Sequence, residues 1–292
     1  MNNLDKFYNS SKYYQSHDGL KLHFRDIGDD KGKFTIICLP GLTRNSRDFE
    51  ELATRLAEGH RVISVDLRGR GLSEYDENWR NYHPLTYAQD IWTLLDKLSI
   101  EKVIIIGTSL GGLIAMVMAY QDKDRLAGVL MNDIGPEIDT NGLERIKKYA
   151  GILPPVKNWQ QASEQTKHIY GPWLMGLDDS QWLILAKRAY KENHEKKPIL
   201  DMDLNISTAI QKLGAQKGDP WELFAALQNI NTLVLRGELS DILSAKILAK
   251  MHDKKADLVS IIIPDRGHVP LLNEAISTQA IDKFLQEINH EN

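Results

Sequence analysis

Short runs that are apolar at nearly every position recur along this chain, at residues 34–39, 62–65, 103–106, 126–131, 233–235 and 258–263. Continuous apolar runs, as opposed to alternating ones, suit strands covered on both faces, the situation inside a parallel sheet. Helical patterns separate the early runs. Residues 46–58 put Phe49, Leu52 and Leu56 on one face, and residues 86–98 do the same with Ile91, Leu94, Leu95 and Leu98. Strand, helix and strand in regular order require right-handed crossovers, so the pattern predicts an α/β fold with a mostly parallel open sheet. Ahead of the first run, residues 11–27 alternate around His17-Asp18-Gly19 and predict a β-hairpin.

From 137 to 220 the alternation stops. Helix-like stretches at 143–149, 159–170, 180–192 and 206–213 are broken by Pro154-Pro155 and Gly171-Pro172, and KENHEKK (191–197) reads as a solvated helix end. Strand patterning resumes at Asn231. The expected organisation is therefore a discontinuous core, residues 1–136 and 221–292, with an inserted helical cap at 137–220. The aromatic residues of the insertion, among them Trp159, Tyr170, Trp173 and Trp182, either form a small core of its own or line a lid over a site on the sheet, and both can hold at once.

Bulk properties exclude several classes. The net charge of −4 gives no positive field to draw the chain to nucleic acid or anionic lipid. No apolar run approaches the roughly 20 residues needed to cross a bilayer, and the polar start MNNLDKFYNSSKYY lacks the apolar centre of a signal peptide. One cysteine, Cys38, cannot form an internal disulfide and sits in the apolar run FTIICLP, as a buried inert thiol would. A cytoplasmic location is expected. Neither a phosphate-binding loop of the GxxxxGK[ST] type nor Cys/His metal-ligand spacing is present, so no cofactor and no metal are expected.

Ligands of open α/β sheets bind outside the carboxyl ends of the strands, so the residues just after each apolar run carry the chemistry. After 103–106 comes Gly107-Thr108-Ser109-Leu110-Gly111; after 233–235 comes Arg236-Gly237-Glu238-Leu239-Ser240-Asp241; after 258–263 comes Pro264-Asp265-Arg266-Gly267-His268; after 34–39 comes Pro40-Gly41-Leu42-Thr43. A serine, an acid, a histidine and a glycine loop thus fall at one end of one sheet. The G-x-S-x-G sequence between a strand and a helix is the nucleophile elbow, in which glycines let the chain turn so sharply that the serine hydroxyl is held exposed. Three carboxylates compete for the acid: Asp241, Glu238, and Asp133 in LMNDIGPEI. DLRGRGLS (66–73) has a superficial look of a dinucleotide loop, but no acidic ribose partner follows, and it reads as a structural turn.

GTSLGG, LPGL, VDLRGRGLS, RGELSD and DRGHVPLLNE together resemble the α/β-hydrolase superfamily over nearly the whole chain apart from the cap. The resemblance implies Ser109 as nucleophile, His268 as its base, Asp241 as the acid that orients the imidazole, and the backbone N–H groups of Leu42 and Leu110 as oxyanion donors. It favours Asp241 because that residue follows the glycine turn at the usual family distance, although some members place the acid where Asp133 stands. Many relatives have His-Gly where this chain has Pro40-Gly41. Serine at the elbow argues against epoxide hydrolases and haloalkane dehalogenases, which carry aspartate there. The activity implied is cleavage of a small carboxylic ester through an acyl-enzyme. The alternatives are enol-lactone hydrolysis, C–C bond hydrolysis as in aromatic degradation, or a receptor of this fold with little turnover. The expected partner is a small-molecule acyl substrate, and the oligomeric state is open.

Overall fold

The computed structural model describes residues 3–29, 34–212 and 219–291. A short helix α1 (Asn3–Tyr8) leads into the expected hairpin, β1 (Ser11–Gln15) and β2 (Lys21–Ile27), which pair antiparallel. There follow β3 (Thr35–Leu39), a 3₁₀ turn (Ser46–Phe49) running into α2 (Glu50–Leu56), β4 (Val62–Val65), α3 (Pro84–Lys97), β5 (Val103–Thr108), α4 (Leu110–Asp122) and β6 (Leu126–Asn132). The inserted segment comes next, and the sheet resumes with β9 (Asn231–Gly237), α10 (Ala245–Lys254), β10 (Val259–Ile263) and α11 (Ala275–Glu291).

The eight strands of the main sheet lie in the order β1-β2-β4-β3-β5-β6-β9-β10. Only the pairs made by β2 are antiparallel; from β4 to β10 every neighbour is parallel. The continuous apolar runs are explained by the pleat. Along β3, Ile37 and Leu39 enter one core with residues of α3, α4 and α10, while Ile36 and Cys38 enter a second with Phe7 and residues of α2 and α11. Successive side chains point to opposite faces, and both faces are covered. Cys38 is fully buried, and burial pushes its thiol up to about 12.

The inserted segment holds α5 (Thr140–Tyr149), α6 (Trp159–Tyr170), α7 (Asp179–Ala189), the strands β7 (Tyr190–Glu192) and β8 (Pro198–Leu200), and α8 (Asn205–Lys212); α9 (Pro220–Ala225) follows and packs Phe224 into the main core. The helix expected over 180–192 stops three residues early, and KENHEKK is a hairpin and not a helix end. Lys191 and Glu192 pair with Ile199 and Pro198, and the Asn193 side chain accepts from the backbone N–H groups of Glu195 and Lys197, an Asx turn that competes with helix. The stretch expected over 206–213 is helical through Lys212; Leu213 lies outside the described residues. Among the described residues no helix is long and apolar enough to cross a membrane.

Candidate active site

Ser109 occupies the joint between β5 and α4 with φ 51° and ψ −113°, a backbone conformation sparsely populated for any residue with a Cβ. Close packing holds it there. A Cβ on Gly111 would lie 2.1 Å from the Leu39 carbonyl oxygen, and one on Gly107 would lie 2.5 Å from the Gly111 backbone. Gly107 and Gly111 are therefore there because α4 starts almost in contact with β3 and β5, and Gly112 because a Cβ would lie 2.3 Å from Ile134 Cγ2 just after β6. That is why a run of β-branched residues ends in glycines with one serine among them.

The Ser109 hydroxyl lies 2.9 Å from His268 Nε2, and His268 Nδ1 lies 2.8 Å from Asp133 Oδ2. Asp133, fully buried at the end of β6 with φ 57°, also accepts the Gly237 N–H at 2.8 Å on Oδ1 and the Ser240 hydroxyl at 2.6 Å on Oδ2. A carboxylate in that position can only accept, so Nδ1 of His268 carries the proton. Nε2 is left with its lone pair toward the Ser109 hydroxyl, which donates to it. This is the tautomer in which an imidazole can draw a proton from a serine.

Asp241 is not in this series, contrary to the expectation. Its carboxylate receives a bidentate pair of hydrogen bonds from Arg145 on α5, Nε to Oδ2 at 2.6 Å and Nη2 to Oδ1 at 2.8 Å. The two candidate acids sit at the ends of neighbouring strands, β6 and β9. Ser240, one residue before Asp241, turns its hydroxyl toward Asp133, while Asp241 faces the inserted segment. Glu238, the third competitor, accepts the Asp265 N–H and is also absent from the series.

Leu42 and Leu110, the expected oxyanion donors, flank the serine. Leu110 opens α4, where a helix leaves its first N–H groups without intrahelical partners, and Leu42 lines the cavity above Ser109. The Leu42 carbonyl accepts from Arg70 Nε at 2.8 Å, which pins the loop from beneath. DLRGRGLS is thus structural, as read. Asp66 accepts the N–H groups of Ser46 and Leu72 and pairs with His23, and the fully buried Arg68 donates to Asp18, Asp76 and Asp90.

A cavity of about 100 Å³ opens beside Ser109 and His268, walled by the core and by the inserted segment. From the insertion come Ile146, Tyr149, Thr166, Tyr170, Leu174, Leu185 and Arg188; from the core loop come Thr43, Arg44 and Asp48. Of these, sequence reasoning singled out Tyr170 but neither Tyr149 nor the two arginines. Their only sequence signal is position, since Arg44 follows the LPGL loop by two residues.

Residues 35–174 match the family described as the alpha/beta hydrolase fold. The chain is 30% identical to the 3-hydroxybutyrate-oligomer hydrolase of Cupriavidus necator, with 86% of this chain and 87% of the relative aligned. It is 28% identical to the 2-(acetamidomethylene)succinate hydrolase of Mesorhizobium japonicum, over 84% of this chain and 85% of that one. In structure it is similar to an alpha/beta hydrolase from Novosphingobium aromaticivorans, with a TM-score of 0.90, 41% identity, and 94% and 97% of the two chains covered. Sheet order, elbow and relatives agree, and the chain is a hydrolase of the alpha/beta-hydrolase family.

Proposed function

We propose that this protein is a serine hydrolase that cleaves a small carboxylic ester through an acyl-enzyme intermediate, with Ser109, His268 and Asp133 as the working residues. The observation that carries the reading is the unbroken series from Ser109 Oγ to His268 to a fully buried Asp133, opening on a cavity. Ser109 Oγ adds to the ester carbonyl as its proton passes to His268 Nε2. Asp133 holds the imidazole and offsets the charge it gains. The backbone N–H groups of Leu42 and Leu110 receive the oxyanion, helped by the positive end of α4. Collapse of the intermediate expels the alcohol, which takes the proton from His268. Water, deprotonated by the same histidine, then releases the acid and frees Ser109.

The inserted segment acts as a cap, since Tyr149, Tyr170, Leu174 and Leu185 close the cavity from the side opposite the sheet and limit water around the reacting carbonyl. The size of the cavity favours short acyl groups. Sequence similarity to a hydrolase of 3-hydroxybutyrate oligomers, which are esters of a short hydroxy acid, points the same way.

Hydrolysis of 4-nitrophenyl esters from acetate to decanoate tests the proposal. Turnover should peak at two to four acyl carbons and fall by about 10³-fold or more in Ser109→Ala. Turnover that survives in Ser109→Ala would overturn it.

A further inference from the structure

One polar corner of the cavity is built around Arg44. Arg44 rises from the loop that carries Leu42, close to the nucleophile: a side chain on the intervening Gly41 would lie 3.7 Å from Ser109 Cβ and 3.6 Å from Arg44 Cγ. Asp48, one helical turn on, takes the Nε and Nη2 edge of the guanidinium at 2.8 and 2.6 Å. Burial works against the charge on Arg44, but Asp48 outweighs it, so the cation is held firmly. The pairing also fixes the plane of the guanidinium and leaves Nη1 with no partner among the described residues.

Two tyrosines of the cap complete the corner. The rings of Tyr149 and Tyr170 meet edge to face with centroids 5.8 Å apart; both line the cavity, and both interact electrostatically with Arg44. Burial, and then Tyr170, push the Tyr149 phenol up, so it keeps its proton; its hydroxyl already meets Tyr170 and Arg145, which leaves the Tyr170 O–H as the phenolic donor to a ligand. A strapped guanidinium with a spare nitrogen and a phenolic O–H line the same cavity and together make a donor set in search of an anion, while Arg188, the other arginine there, is already taken by Glu50 and Glu51. Apolar esters use none of it and leave Nη1, on a side chain that is 16% exposed, to water. Asp48 already neutralises one charge, so a dianion such as a phosphate monoester would be repelled, whereas a monoanion with two acceptor oxygens can bridge Nη1 and a hydroxyl.

We infer that the substrate carries a free carboxylate besides its scissile ester, and that Arg44, with Tyr170, binds it. Arg44 is a specificity-determining residue here, not a catalytic one. The inference rests on the ester-hydrolase reading and names the class of ester.

Two matched pairs of compounds test it. Mono-4-nitrophenyl succinate against 4-nitrophenyl butyrate places the carboxylate on the acyl side; 3-(butyryloxy)butyrate against its methyl ester places it on the alcohol side. In one pair or the other the acid should be preferred in kcat/KM by roughly tenfold or more, the value of a charge-assisted hydrogen bond. Arg44→Met should bring that ratio to one or below, Arg44→Lys should restore part of it, and Tyr170→Phe should lower it without disturbing the Arg44–Asp48 pair. For binding, the alcohol-side pair and the slowly hydrolysed ethyl counterparts of the acyl-side pair, monoethyl succinate and ethyl butyrate, are titrated against Ser109→Ala. The preferred acid should raise Tm more than its neutral partner, and Arg44→Met in that background should erase the difference. Ratios at or below one in both pairs, or a preference indifferent to Arg44, would overturn the inference while leaving the hydrolase reading intact. Absence of ester turnover would sink the hydrolase reading, and the Tm comparison would then decide the carboxylate site by itself.

Discussion

Ser109 and His268 were legible because each is announced by its own neighbours: a strand run, then a turn that requires glycine, then a chemically reactive side chain. The glycines can be tested at this scale. Gly111→Ala drives a Cβ to 2.1 Å from the Leu39 carbonyl oxygen, and since that atom is backbone, β3 or α4 must shift. The expected cost is about 2 kcal/mol or more in urea unfolding, the range of a tightly overpacked core. A midpoint unchanged from wild type would mean that the elbow is looser than described. The acid was not legible in the same way. Asp133 and Asp241 both follow apolar strands, and nothing local distinguishes a carboxylate that faces the histidine from one that faces the segment between β6 and β9. The difference lies in Arg145, 96 residues before Asp241 in the chain, which takes Asp241 for a different purpose. Arg44 and Tyr149 carry no local signal for the same reason: with Tyr170, an aromatic residue already noted in the insertion, they become a corner only when the chain is folded.

At the scale of elements, the strands were read nearly to their ends because an apolar run is a local signal with a sharp boundary. The insertion was read less well. Its helices were found where apolar spacing was clear, as in α6, while the β7–β8 hairpin was missed because three-residue strands have no period to detect. Apolar residues of this segment, Met202, Ile206 and Ala209 among them, join the main core, and charge paired across the chain adds further clamps. Arg145 on α5 grips Asp241, the buried Arg188 on α7 grips Glu50, and Arg47 of the core grips Asp201. Trp173 also accepts the Gly267 N–H, next to His268. The first of these clamps predicts that Asp241→Asn loosens α5. Backbone amides of residues 140–149 should exchange with deuterium several-fold faster than in wild type, with exchange in β5 and β6 unchanged. Unchanged exchange in α5 would show that the pair does no anchoring.

Across the whole molecule, the fold class followed from one property of the sequence, apolar runs without alternation, and the two-faced burial of β3 bears that reading out. The discontinuous sheet brings residues from distant stretches to one edge: Leu42 after β3, Ser109 after β5, Asp133 after β6 and His268 after β10. Buried charge organises the same edge. Arg70 and Arg68, both fully buried in the turn after β4, fix the Leu42 loop and tie it to α3 through Tyr87 and Asp90. Removing one member of such a buried network leaves its partners uncompensated, which makes the turn sensitive to substitution although it touches no substrate. The activity proposed for this assembly depends on which carboxylate stands behind His268. The most direct measurement is kcat/KM on 4-nitrophenyl butyrate for Asp133→Asn and Asp241→Asn side by side. Asp133→Asn should lose about 10⁴-fold, since the wrong imidazole tautomer would be held, and Asp241→Asn should change by less than about tenfold. A crippled Asp241→Asn beside a near-normal Asp133→Asn would contradict the role assigned to Asp133.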